Sequence, residues 1–382
     1  MNRMRCLVAC LAVLVAVLPA AAQSGPSELE RIAAEFRSEH GVPSVVVGTL
    51  SPGGSEYVAL GEAGLDTRFE IGSVTKPVVG LLLAEMAIRG EVELDDPLVD
   101  FLAPPASGNP ALSQIRLYQL ATHGSGLPRL PPNLFPAPLT DPYSGYDAER
   151  LEEALAALEG PLEPGTYEYS NLGAGVLGHA LARHAGLPLA HLIRDRVTGP
   201  LGLRNTGYAE ETGCAEDRGY AEREGVAPGS GPGIPASSEP PAVAPPHRGG
   251  EEIPAWRFTS LSGAGGLWSS ARDLMELVQW QLEPPEGLLG EAIRESHRIR
   301  ADGPAPARMA LAWHVLEMPP VGPVYLHTGA TGGSRSFVAF APDAGVGVVI
   351  LLNSDVPLER VDGLAASVIQ LVAVTARTGN SP

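Results

Sequence analysis

Ser73-Val74-Thr75-Lys76 places a hydroxyl three residues ahead of an amine, and Lys76 is the only lysine among 382 residues. Every other basic side chain is arginine. Guanidinium stays protonated at any accessible pH, whereas a buried ammonium gives up its proton readily, so a lysine spelled once points to an amine that acts as a base. A general preference for Arg, Ala, Gly and Pro weakens this reading without removing it. Residues three apart on a helix share a face, and the positive end of the helix favours an ionised oxygen there. Ser73 beside such an amine is a nucleophile next to a base, the minimum for acyl transfer.

Two further clusters carry chemistry. Tyr167-Glu168-Tyr169-Ser170-Asn171 leads into an apolar segment, and His327-Thr328-Gly329-Ala330 closes a strand-like run. A Tyr169 phenol beside the Lys76 cation would have its pKa lowered from about 10 by roughly one to three units. Either Tyr169 as phenolate or Lys76 as free amine could then take the Ser73 proton, and the two would titrate as a pair. His123, His179, His184 and His314 show no metal-ligand spacing and no His-Glu-x-x-His occurs, so neither a metal nor another cofactor is expected. The absence of Gly-x-Ser-x-Gly removes the nucleophile-elbow hydrolases.

These groups need elements to position them. Val78 to Ile88 is an apolar run long enough for a buried helix, and Pro77 stands where a helix start tolerates proline. Ahead of it, Ser27 to His40 carries the stripe of a surface helix, and Pro43 to Leu50 with Glu56 to Leu60 reads as a hairpin. Helical stretches are predicted at Leu151 to Glu159, Leu172 to Ala185 and Leu189 to Val197. Ser269-Ser270 caps a helix from Arg272 to Leu282, and strands follow at Leu311 to Met318, Val324 to Thr328, Ser336 to Ala341 and Val346 to Asn353. Short turns between consecutive strands imply an antiparallel sheet, and Pro357 to Thr375 is a closing apolar helix. The expected organisation is a discontinuous α/β (α+β) domain over 27–94 and 255–376, interrupted by a mostly helical insertion over 95–254. Half of the residues in 225–250 are Pro or Gly, which predicts a mobile excursion, and 377–382 is a tail.

Residues 1–22 read as a secretory signal, with Arg3 and Arg5 before an apolar core and Ala20-Ala21-Ala22 before Gln23. The expectation is a periplasmic or secreted protein with no stable membrane span once the signal is removed. Cys6 and Cys10 leave with it, so Cys214 has no intramolecular partner. A net charge of −18 argues against nucleic acid or an anionic membrane as partner. It does not exclude a local cation that holds an anion, since distant surface charges are screened within about 10 Å.

Ser73-x-x-Lys76, Tyr169-x-Asn171 and His327-Thr328-Gly329, in this order, resemble the three motifs of the serine penicillin-recognising hydrolases. The branch is the one holding class C β-lactamases, D-alanyl-D-alanine carboxypeptidases and related esterases. Leu120 to Pro128, Gly265 to Ser269 and Gly332 to Phe337 resemble the flanking stretches, and the likeness spans roughly Ser27 to Thr375. It implies an antiparallel sheet flanked by helices with an inserted helical domain, and a β-lactam, D-alanyl peptide or ester as substrate. It also implies Ser73 as nucleophile, Lys76 and Tyr169 as the proton-handling pair, and Asn171 as ligand of the substrate amide. His327, Gly329 and Ala330 would line the substrate site, the N–H groups of Ser73 and Ala330 forming the oxyanion hole. Two departures bear on substrate: class C β-lactamases normally carry Lys where His327 stands, and Gln about where Leu130 stands. Both count against efficient β-lactam turnover and leave acyl-enzyme formation intact. The competing expectations are an esterase or D-amino-acid peptidase that β-lactams only inhibit, and a catalytically silent envelope binding protein. Arg335 is a further candidate, as the cation for a substrate carboxylate.

Overall fold

Val45–Ser51 and Val346–Leu352 are apolar at nearly every position, and side chains alternate across a strand, so such segments need cover on both faces. The computed structural model, which describes residues 26–135, 137–138, 140–209, 242–319 and 321–378, shows how that cover is built. The signal segment, Cys214, the last four residues and most of the Pro/Gly stretch lie outside the described residues. Strands β1 (Val45–Ser51), β2 (Gly54–Leu60), β3 (Ala301–Asp302), β4 (Arg308–Met309), β5 (His314–Met318), β6 (Gly322–Ala330), β7 (Arg335–Ala341) and β8 (Val346–Leu352) form one sheet. Its order is β2-β1-β8-β7-β6-β5-β4-β3, and every pairing is antiparallel. The first two strands thus close against the last of the chain, which is why everything between them can be inserted without breaking the sheet.

The helices that matter for the site are α1 (Glu28–His40), α2 (Thr75–Ile88), α3 (Ala148–Ala156), α4 (Asn171–Ala185), α5 (Ala271–Leu282), α6 (Leu288–Ser296) and α7 (Leu358–Thr378). Val45, Val47, Val348 and Ile350 point to one face and pack with Leu29 and Phe36 of α1 and Leu364 and Val368 of α7. Val46, Val349 and Leu351 point to the other and join Leu274 and Val278 of α5 in a larger core that includes α2. Helix α5 lies directly on the sheet because β8 has no side chain at Gly347, where a Cβ would stand 2.2 Å from Val278 Cγ1. Helix α2 is buried around nearly its whole circumference, so its sequence shows a continuous apolar run instead of a stripe. Among the described residues no helix is long and apolar enough to cross a membrane.

The observed elements differ from expectation at a few places. Helix α3 begins three residues early because the Asp147 carboxylate accepts the Arg150 N–H at 2.9 Å and caps it there. Helix α6, which packs on α2, follows Pro284-Pro285 and Gly287 closely and has too few residues to stand out as a periodic segment. Residues 242–250 are not the end of a mobile excursion. Arg68 N–H donates to Ala242 O at 2.8 Å, Ala244 N–H returns to Arg68 O at 2.8 Å, and His247 N–H donates to Gly333 O at 3.0 Å. Pro245 and Pro246 fall between these donors, where the ladder needs no N–H.

Candidate active site

Ser73 lies in a 3₁₀ turn over Gly72–Val74 that runs straight into α2, so it stands just before the helix instead of on it. Two glycines set its position. Gly72 has φ +48°, a left-handed backbone, and a Cβ there would stand 2.7 Å from Ala330 N. Gly329 of β6 faces the same turn, where a Cβ would lie 2.0 Å from Ile71 O. The turn and the strand end are therefore in backbone contact, with Ala330 N beside Gly72, the residue just before Ser73. Ser336 Oγ donates to Ile71 O at 2.7 Å, and Glu70 accepts from Thr331 Oγ1 at 2.9 Å, tying the third motif to the segment just before Ser73. Gly329→Ala should overpack this contact, costing about 1–3 kcal/mol of stability. Displacing the strand end by ~1 Å should also lower kcat about a hundredfold. Urea titration and initial rates on one purified variant read both effects.

The second motif is held by the loop that precedes it. His123, itself left-handed at φ 58°, accepts the Ser170 N–H on Nδ1 at 3.3 Å and the Glu168 N–H on its carbonyl at 2.8 Å. Ser170 Oγ donates to Pro128 O at 2.7 Å and caps α4 by accepting Gly173 N–H at 2.8 Å. The Asn171 N–H donates to Arg129 O at 2.9 Å. Asn171 thereby begins α4 with its side chain aimed at α2, and Tyr169 precedes it by two residues.

Two groups meet at the Ser73 oxygen. Lys76 Nζ is 2.9 Å from Ser73 Oγ, 3.0 Å from Asn171 Oδ1 and 2.6 Å from the Ala264 carbonyl. The Tyr169 hydroxyl donates to Ser73 Oγ at 2.7 Å. Asn171 Nδ2 donates to the Tyr143 hydroxyl at 3.2 Å, which fixes the amide oxygen toward the amine. Lys76 is only 2 % exposed, and burial pushes its pKa well below the ordinary lysine range, with the Arg129 cation adding to the shift. All three neighbours can accept from Nζ, and because the Tyr169 hydroxyl already donates to Ser73 Oγ, the serine's own proton is free to turn toward the amine when that amine is neutral.

The expectation that Lys76 would lower the Tyr169 pKa is not met. Burial pushes the Tyr169 phenol up to about 12, against smaller opposing pulls from the Ser73 hydrogen bond and the Arg129 cation. The reason is desolvation: taking the phenolate out of water outweighs the pulls that would lower it, although Lys76 Nζ sits 5.0 Å from the ring centroid. Burial thus disfavours the charged form of both groups that touch the serine hydroxyl, the amine on one side and the phenol on the other.

His327 is buried, and its ring lies 6.5 Å from that of Tyr169 and 5.4 Å from that of His314. Its Nδ1–H donates to Thr328 O at 3.0 Å, so Nε2 is a bare acceptor, buried and without a partner among the described residues. Burial, the neighbouring His314 and Lys76 depress its pKa, so this position supplies no cation. Arg335, the further candidate for that cation, is engaged elsewhere. Its guanidinium donates to the carbonyls of Val356, Thr331, Ser334 and Asp355, where it fastens the third-motif turn to the segment after β8. Leu130 packs against the main core. The motif reading did not name the Ala264 carbonyl, Tyr143, Arg129, or the His314 ring that contacts the Tyr167 hydroxyl at 3.0 Å. A signal for the first exists in Gly265-Gly266, which lets that loop approach. The others lie at positions with no motif of their own.

The β-lactamase family profile matches residues 29–373. The chain is 26% identical over 334 residues to the D-alanyl-D-alanine-carboxypeptidase/endopeptidase AmpH of Escherichia coli (strain K12), covering 83% of this chain and 78% of that protein. It is 27% identical over 350 residues to esterase EstB of Burkholderia gladioli, covering 78% and 80%. Among solved structures, a class C β-lactamase from Rhodobacter sphaeroides superposes with a TM-score of 0.71 at 23% identity, over 90% of this chain and 99% of that one. A mixed α/β fold with an antiparallel sheet, three ordered motifs converging on one serine and a match over nearly the whole chain agree: the protein belongs to the β-lactamase family.

Proposed function

We propose that the protein is an exported serine hydrolase that cleaves an amide or ester of D-alanyl or β-lactam type through an acyl-enzyme on Ser73. The observation that carries this reading is the convergence of Lys76 Nζ and the Tyr169 hydroxyl, 2.9 and 2.7 Å from one serine oxygen. As Oγ attacks the carbonyl carbon, its proton passes to the Lys76 lone pair, and the N–H groups of Ser73 and Ala330 receive the new oxyanion. When the bond to the leaving group breaks, the departing nitrogen or oxygen takes the Tyr169 proton. The phenolate formed lies close to the new Lys76 ammonium, and transfer of one proton restores both. Water attacks the acyl ester by the same route, giving its proton to this pair and returning one to Ser73 Oγ.

The neutral His327 and the core-packed Leu130 favour peptide or ester turnover over fast β-lactam hydrolysis. The test is to incubate the protein with a fluorescent penicillin, a chromogenic cephalosporin, a nitrophenyl ester and a D-Ala-D-Ala peptide, mapping any adduct by mass spectrometry. Turnover of the ester or peptide with a lasting penicilloyl adduct on Ser73 is expected. Rapid cephalosporin turnover would make the protein a β-lactamase instead. No adduct and no product from any of the four would leave the silent binding protein as the better description.

A further inference from the structure

A substrate with a carboxylate needs a cation near the reacting bond, and neither of the third-motif candidates is placed to be one, burial depressing the His327 pKa and backbone carbonyls taking four of the five Arg335 N–H groups. Arg129 is differently placed. Its side chain is exposed, its guanidinium makes no ion pair or hydrogen bond among the described residues, and its central carbon lies 5.1 Å from the centroid of the Tyr169 ring. Its backbone is fixed where it matters, since its carbonyl accepts the N–H groups of Asn171 at 2.9 Å and Leu172 at 3.3 Å. The guanidinium therefore cannot drift far from the second motif, and its fork of N–H donors matches a carboxylate. The chain as a whole is strongly acidic, so an anion is held here by contact and not by the distant field.

The geometry points to Arg129 as the receptor for a carboxylate carried on the leaving-group side of the substrate. The atom that departs must come within hydrogen-bonding reach of the Tyr169 hydroxyl, and Arg129 stands over that ring, so an anion carried on the leaving group falls within reach of the guanidinium. A peptide ending in a free α-carboxylate, or a β-lactam with its ring carboxylate, presents its anion on that side of the scissile bond. This assignment rests on the acyl-transfer reading of Ser73. The rival role for Arg129 is as a remote charge that tunes Lys76, and the two differ in what they do to a pair of matched substrates.

The experiment compares two phenyl esters of one N-acylglycine, the leaving phenol carrying a meta-carboxylate in the first and a meta-carboxamide in the second. Wild type, Arg129→Gln and Arg129→Lys are assayed across pH. A charge-assisted contact predicts that wild type prefers the carboxylate ester by about ten- to a hundredfold in kcat/KM, expressed mainly in KM. That ratio should collapse to about one in Arg129→Gln and return in part in Arg129→Lys. A wild-type ratio near one, or a preference that survives Arg129→Gln, overturns the assignment. So does a change confined to the acid limb of the pH profile and equal for both esters, which is the signature of tuning alone. If neither ester is cleaved, the acyl-transfer reading is judged on the four substrates above, and the affinities of Ser73→Ala, with and without Arg129→Gln, for a D-Ala-D-Ala peptide and for its C-terminal amide measure the contact without turnover. Equal affinities there, or a difference indifferent to Arg129→Gln, would also overturn it.

Discussion

Ser73→Ala is expected to lower kcat/KM for the best substrate by at least about 10⁴-fold while leaving the protein folded. The size of the loss follows from the absence of a substitute. The Lys76 amine and the Tyr169 hydroxyl both contact Ser73 Oγ, and with it gone the nearest hydroxyl is a phenol held up near 12, protonated and poorly nucleophilic. The small effect on stability follows from what Ser73 does not do. A serine at the start of a helix most often caps it, yet the residues at the cap positions here, Ile71 and Val74, have no side-chain cap bond. Removing Oγ costs the Lys76 amine one of three contacts and the Tyr169 hydroxyl its acceptor. A shift in the urea midpoint worth no more than about 1 kcal/mol is therefore expected. Retention of activity within tenfold of wild type would remove Ser73 from the mechanism, and a matching collapse in stability would return it to a structural role.

What could be read from the chain divides along physical lines. Element positions were legible where local signals agree. Ser27, Ser170 and Ser270 each cap the helix that begins after them, and the strand-like runs from Pro43, Ser336 and Val346 each hold a strand, the first beginning at Val45. The serine, amine and phenol were legible because each sits in a short motif whose residue types have few other uses together. Protonation was not legible, because it depends on how thoroughly the fold strips water from Lys76, and burial is a property of the assembled core. The same limit explains Arg335, whose sequence position beside the third motif says nothing of the four carbonyls waiting for it. Arg129 escaped notice for the converse reason. Its relation to Tyr169 is made by the Asn171 N–H bond to its own carbonyl, a contact between segments 42 residues apart that no local pattern announces.

Lys76→Arg tests the claim on which the mechanism turns, since it keeps a positive charge at the site and removes the lone pair. Guanidinium stays protonated in proteins, so the substituted side chain could only donate to Ser73 Oγ and never accept its proton. The expected outcome is a loss of about 10³-fold in kcat/KM at every pH. A scheme with Tyr169 as the resident base predicts the opposite, because a permanent cation beside the phenol would favour its ionised form and sustain the rate. The pH profile adds a second discriminator whose sign is fixed by the direction of the shift. Burial lowers the Lys76 pKa, so wild-type kcat/KM should rise with pH through that depressed value as the amine loses its proton, then hold level well short of the pH at which an ordinary lysine deprotonates. The Lys76→Arg variant has no such proton to lose, and its residual rate should show no acid limb of that origin. Circular dichroism and a thermal melt establish that the variant folds around the larger side chain, and Lys76→Met, with neither charge nor lone pair, should be as slow. Rates within tenfold of wild type in Lys76→Arg would move the base to Tyr169 and leave the lone lysine as a fixed charge.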